Sequence, residues 1–291
     1  MTKQKSFTLI ELLVVIVIIG ILAGVIMIST SSSIDKANFA KLKVFSESIK
    51  NDLMLNLISE WKFEEGDVGQ IVSVSQVKDS WGRNNASGLY GQQVIRDNDC
   101  VSGKCLDFNG ENNSINFDNK NDLMQILENH TFTYEIWANL RTYGDLVGFR
   151  GYAPKWGYSL IVTNTGTLAL NYQNDADWKN IPSDFTFPKN KWNHVVLVFD
   201  YPKREALFYL NGEISPKGAN YYTSSSATRF SIGQQGWSFP TGLFDEVRVY
   251  NAVLSSSQIK QNYVAGLDSL LSKNLISKQE YDQKIKDLSL K

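Results

Sequence analysis

A run of 23 residues without a charge, Leu12–Ile34, constrains this chain more than any other feature. As a helix its most apolar part, Leu12–Ile28, rises about 1.5 Å per residue and can cross a hydrocarbon core of roughly 30 Å. Lys3 and Lys5 stand before it. Positive charge is held on the cytoplasmic side, so the rest of the chain is expected to face outward. A cleaved secretory signal has an apolar core of roughly 7–15 residues; this run is longer and Glu11 sits at its head. A plain anchor accommodates the length but gives no reason for Glu11, because a carboxylate at the edge of a span is costly without a partner.

Helical spacing continues beyond the span. Ile34, Ala37, Phe39, Leu42, Phe45, Ile49, Leu53 and Leu57 recur at threes and fours, with charged residues between them. The pattern predicts one long helix over 7–58, with its membrane half at about 9–28 and a softer joint at Ser29–Ser33, where Ser and Thr are weak helix formers.

The segment from Phe7-Thr8-Leu9-Ile10-Glu11-Leu12-Leu13 to Ala23 resembles the class III signal of type IV pilins and pseudopilins. The resemblance implies a leader, residues 1–6, removed by a prepilin peptidase between Ser6 and Phe7, with Phe7 then N-methylated by a methyltransferase. The family usually has Gly where Ser6 stands. It also implies that Glu11 pairs with the N-terminal amine of a neighbouring subunit. Two opposite charges in a low-dielectric core attract strongly, and either alone would be expensive. The alternative is that Glu11 snorkels to the headgroups.

After residue 58 the period changes from 3.6 to 2. Ile58–Phe63, Thr131–Ala138, Tyr158–Val162, Thr167–Tyr172, Phe230–Gly233 and Gly242–Tyr250 alternate, and Asn193–Asp200 with Ala206–Gly212 read as a hairpin. Short strands with Gly/Asn/Asp turns predict a mainly β fold, a two-sheet sandwich over 59–265. Trp61, Trp137 and Trp192 are expected in its core. Asp79-Ser80-Trp81-Gly82-Arg83-Asn84-Asn85, Leu106-Asp107-Phe108-Asn109-Gly110, Lys191-Trp192-Asn193-His194-Val195 and Leu243-Phe244-Asp245-Glu246-Val247 stand in an order and spacing similar to laminin-G-like, concanavalin A-like jelly-roll domains. Cys100 and Cys105 bracket four residues with a Gly, a spacing that suits a small disulfide loop and an oxidising location. So small a ring contributes about 2 kcal/mol.

Lys+Arg is 29 against Asp+Glu 30; without a basic face the chain is not expected to bind nucleic acid. His130 and His194 with one Cys pair match no zinc spacing. No paired-carboxylate strand motif, nucleophile elbow or phosphate loop is present, so catalysis is not expected. Binding is the stronger expectation. Sugars stack their C–H faces on aromatic rings, and the loop aromatics are Tyr152, Trp156, Trp178, Tyr221, Tyr222 and Trp237. Many members of the fold hold Ca²⁺ through hard oxygen ligands; Glu64, Glu65 and Asp245 are the candidates here, against a salt bridge to Arg248 or a capped turn.

From 266 to 291 helical spacing returns, with a turn at Lys273–Ile276 and a capping box at Ser277–Glu280. Together these features predict a minor pilin or pseudopilin whose helix joins other pilin subunits at the cytoplasmic membrane. It then carries a jelly-roll head to the cell surface, toward a glycan, a surface protein or another subunit. A static membrane-anchored lectin is the rival reading, and a secretion pseudopilin without an adhesive role is another.

Overall fold

A computed structural model describes residues 55–118, 121–129, 131–151, 157–174, 177–215, 219–220, 227–233 and 238–289. The long N-terminal helix, its membrane half and the leader lie outside these, except that Leu57 and Ile58, read above as the helix end, belong to the first strand. Among the described residues no helix is long and apolar enough to cross a membrane. Leu53–Lys291 forms one compact unit by itself.

In chain order the strands are β1 Leu57–Trp61, β2 Gly88–Tyr90, β3 Gln93–Arg96, β4 Cys105–Asn109, β5 Ser114–Asp118, β6 Phe132–Thr142, β7 Asp145–Gly151 and β8 Gly157–Val162. They continue as β9 Thr167–Asn174, β10 Asp177–Thr186, β11 Asn193–Asp200, β12 Glu205–Leu210, β13 Glu213–Ile214, β14 Ala219–Asn220, β15 Ala227–Gly233 and β16 Thr241–Tyr250. The helices are α1 Asn121–Asn129, α2 Ser256–Ser272 and α3 Lys278–Ser289. Sheet one runs β13-β12-β11-β6-β16-β4-β3, with β1 also on β16 and β14 on β12; sheet two runs β10-β9-β8-β7-β15-β5-β2. The two-sheet sandwich expected from the alternation is the observed fold, in the jelly-roll form that the resemblance implied.

The inward residues make an aromatic core. The Trp61 ring lies 4.4 Å from Phe117 and 5.4 Å from Phe230, and Phe132 lies 4.2 Å from Phe199. Such tilted and stacked pairs add to the burial of their large apolar surfaces. β6 shows how the middle of sheet one is covered on its outer side. Phe132, Tyr134 and Ile136 point into the core, while Glu135 and Trp137 point outward and are nonetheless buried. Helix α2 covers them. Trp137 stacks on Tyr263 at 5.7 Å, with Leu267 and Leu270 alongside. Gly266 permits this approach, because a Cβ there would stand 2.1 Å from the Trp137 ring. Ser255 begins α2 with a capping box to Gln258. One unbroken helix therefore crosses residue 265, where the tail was expected to separate from the sandwich.

Under α2 lies a buried polar network. Glu135 receives hydrogen bonds from Asn262 Nδ2 at 2.7 Å, Arg248 Nη1 at 3.1 Å and Tyr250 OH at 3.2 Å, and shares one with His194 Nε2 at 3.0 Å. Arg248 also donates to Glu60 at 2.8 Å and to Glu246. Burial pushes the Glu135 carboxyl up; the His194, Arg248 and Asn262 partners outweigh it and hold the group at about 2.

Gly266→Ala should lower the melting temperature. Overpacking typically costs about 1–3 kcal/mol, against a helix-propensity gain of at most about 1; an unchanged melting curve would contradict the close contact. Arg248→Met should cost about 3–5 kcal/mol in urea unfolding by leaving buried carboxylates unpaired. Because the Glu135 pKa is depressed, its stabilisation is complete above its ordinary 4.5 and is lost as pH falls toward about 2. Glu135→Gln should therefore flatten the acid limb of stability against pH relative to the parent.

Candidate functional site

Ser6, Phe7 and Glu11 lie outside the described residues, as do Tyr152, Trp156, Tyr221, Tyr222 and Trp237. Trp178, expected in a loop, is on β10, where its backbone pairs with Gln173. The strand ends that flank these aromatics are described. Arg150 pairs with Gly157, Asn174 with Asp177 and Ala227 with Gly151. The segments holding Tyr152, Trp156, Tyr221 and Tyr222 therefore start or finish at one end of sheet two, the end that also carries Trp178. Trp237 follows the opposite end of β15.

The outward face of sheet two leads away from that rim. Asn116, Ser231, Gly148, Ser159, Asn171 and Asn180 stand in one cross-strand row, each in register with the next. Their chain neighbours Phe117, Phe230, Phe149 and Tyr158 fill the core, so alternation turns this row outward. Ser231 donates to Asn116 at 2.9 Å. Asn116, Ser231 and Ser159 are recessed, Asn171 is half-buried and Asn180 exposed, so the row opens toward β9 and β10. Nearer the rim, Arg229 pairs with Asp118 and stands opposite Arg150. Burial and the Arg229 charge together lower the Arg150 pKa. Small hydrogen-bonding groups beside a cationic rim suit a hydroxyl-rich ligand.

Cys100 and Cys105 are joined in a disulfide. The β1–β16 pairing brings Glu64 and Asp245 to its loop, as the sequence suggested, but the loop's own amides occupy them. Ser102 N–H donates to Asp245 at 2.8 Å and Lys104 N–H to Glu64 at 3.1 Å. Lys104 Nζ reaches the Glu64 and Gly66 carbonyls at 3.1 and 2.7 Å. Burial, then Glu246 and Glu64, pushes the Asp245 carboxyl well above the carboxylate range. Glu65 is half-buried nearby. Among the described residues no group of three His, Cys, Asp or Glu is set to hold a metal. Ca²⁺ takes roughly six to eight oxygens, which this amide-filled constellation does not supply. Arg248, the alternative partner suggested for Asp245, binds Glu60, Glu135 and Glu246 instead.

Two aromatics were misread or missed. Trp192, expected in the core, is half-buried and lines a groove of about 470 Å³ under the helical hairpin. Trp81 is 45% exposed on a loop that Asp79 holds rigid by accepting from the amides of Glu60, Trp81, Gly82 and Asn84. The Asp-Ser-Trp-Gly turn signal could have marked Trp81; alternation alone could not have marked Trp192.

Residues 1–27 match the prokaryotic N-terminal methylation motif, and residues 109–260 match the concanavalin A-like lectin/glucanases superfamily, in its laminin-G-like branch. No curated protein matches the chain. Among solved structures, domain 4 of an extracellular arabinanase from Geobacillus stearothermophilus, in complex with arabinotriose, is similar at 20% identity and TM-score 0.55, over 70% of this chain and 97% of that one. The receptor binding domain of botulinum neurotoxin C/D mosaic serotype (14%, TM-score 0.56) and the binding domain of a Paraclostridial mosquitocidal protein (16%, TM-score 0.52) each match 74% of this chain. This chain spans about half the length of those two, at 52% and 53%. At such identities the likeness is one of fold. The chain belongs to the laminin-G-like, concanavalin A-like superfamily and opens with a prepilin-type methylation motif.

Proposed function

We propose that this protein is a pilin-like subunit, a minor pilin or pseudopilin, that assembles through its N-terminal helix and displays its jelly roll at the cell surface to bind glycans. The observation that carries the reading is the joining of a methylation motif at 1–27 to a lectin-type sandwich in one chain. Glu11 would pair with the amine of a neighbouring Phe7 and set the helix register in the filament. A head much larger than a bare stem favours a tip or low-copy role. Binding is favoured over hydrolysis because the clustered carboxylates of the head are taken up by Arg248, His194 and backbone amides. The sugar-bound state of the arabinanase domain lends the glycan reading support at the level of fold.

Mass analysis of the chain recovered from cells should give a mature terminus at methylated Phe7. An intact Met1 or Thr2 terminus would instead favour a static membrane-anchored lectin. Glu11→Gln should abolish filament incorporation while leaving the full-length protein in the membrane; unchanged assembly would contradict the pairing. Glycan-array binding by the detergent-solubilised full chain, with and without Ca²⁺, tests the head, and a blank array in both conditions would refute the lectin role.

A further inference from the structure

The groove under the C-terminal hairpin lies on the outer face of sheet one, away from sheet two. Its construction is rigid. Helix α2 ends in a Schellman turn: Asn274 takes the left-handed conformation at φ 57°, its N–H donates to Leu271 at 3.0 Å, and Leu275 N–H donates to Leu270 at 2.9 Å. Ser277 then caps α3 by accepting from Glu280 N–H at 3.1 Å. The hairpin is tied to the disulfide loop by Lys273 Nζ on the Cys100 carbonyl at 3.1 Å and by Ser269 on the Val101 carbonyl. Walls already ordered need little further ordering when a ligand enters.

The lining has two characters. Trp192, with Leu267, Leu270, Leu275 and Ile276, supplies apolar surface. The Trp192 Nε1–H donates to the Asp99 carbonyl at 2.6 Å. The one polar atom of the indole is thereby used and the ring is fixed, leaving apolar ring surface as what it offers the groove. Around this stand the amides Asn139 and Asn190, the acids Asp99 and Glu280, and the cations Arg141, Lys191 and Lys284. Asn190 is set there by a left-handed turn whose N–H donates to Leu140 at 2.9 Å.

These groups select the ligand class. An acyl chain would bury the polar rim without partners, which is costly. A highly anionic ligand would meet Asp99 and Glu280. A pyranose satisfies both halves, since its C–H face suits an aromatic ring and its hydroxyls bond to amides and to charges of either sign. The aliphatic wall of Leu275 and Ile276 goes beyond what plain hydroxyl groups need and fits a methyl group. A volume of about 470 Å³ falls within the range of small-ligand clefts, roughly 300–1,000 Å³.

We propose that the Trp192 groove is a binding site for short acetamido-sugar oligomers, with the sugar ring on Trp192, the hydroxyls on Asn139, Asn190 and the rim charges, and the acetamido methyl against Leu275 and Ile276. This rests on the glycan-binding reading and names a site for it that depends on the hairpin.

The test is calorimetric titration of the full-length chain in detergent with N,N′-diacetylchitobiose and with cellobiose, which keeps the ring scaffold and lacks the acetamido groups. Diacetylchitobiose should bind, and cellobiose should bind roughly fivefold or more weakly, because each buried methyl contributes favourably. Ile276→Trp, which fills the groove from its half-buried wall, should weaken diacetylchitobiose by about tenfold or more at an unchanged melting temperature. Asn139→Ala, at the rim and outside the core, should also weaken it if Ile276→Trp perturbs folding. Equal affinity for the two sugars, or parental affinity in both variants, overturns the groove assignment. A parent chain that binds other glycans on the array but not diacetylchitobiose overturns the groove and leaves the wider lectin reading standing, whereas an array blank for the parent overturns both.

Discussion

The carboxylate of Glu135 is buried in the middle of sheet one, and the arrangement around it depends on its being paired. A lone charge in that position would be strongly unfavourable, and attraction offsets the desolvation only when several partners converge. Here they arrive from β11, β16 and α2, and Arg248 extends the network to β1 through Glu60. Elements far apart in the chain are thus held to one point on the sheet. The direction of the Glu135 pKa shift, downward in spite of burial, reports that the pairing prevails.

Two unlike surfaces follow from that one clamp. Sheet one loses its outer face to α2, and the hairpin that α2 begins leaves the Trp192 groove at its margin. Among the described residues, sheet two presents an outer face of recessed small polar groups beside Arg150 and the Arg229–Asp118 pair. The disulfide loop connects the two halves of the design. Its amides donate to Glu64 and Asp245 on one side, and its carbonyls anchor the hairpin on the other. The head thus presents two chemically distinct surfaces.

Much of the fold was legible in local pattern. Period-2 alternation marked β6, β8, β9, β11, β12 and β16, because one side of each strand had to reach the core. The Ser277–Glu280 spacing marked a helix start, since capping is a local interaction. The Cys pair marked its own loop. Other features depended on distant partners. The bulge that sets Glu246 at φ 48° between the β4 and β1 halves of β16 has no local signature. β10 was hidden by Pro182, a residue tolerated at a sheet edge. Glu64 and Asp245 both reach the disulfide loop, but what they meet there is the loop's backbone, and side-chain types do not reveal backbone amides.

The amino-acid sequence by itself determined the two-part character of the molecule: an uncharged run with an acid at its head, then alternating strands able to close a sandwich. Periodicity and charge decide such things residue by residue. Only the tertiary structure decided that Glu135 and Trp137 face a helix rather than water, that Trp192 borders a groove, and that Asp245 receives amides. Those outcomes depend on which segments, far apart in the chain, pack against one another.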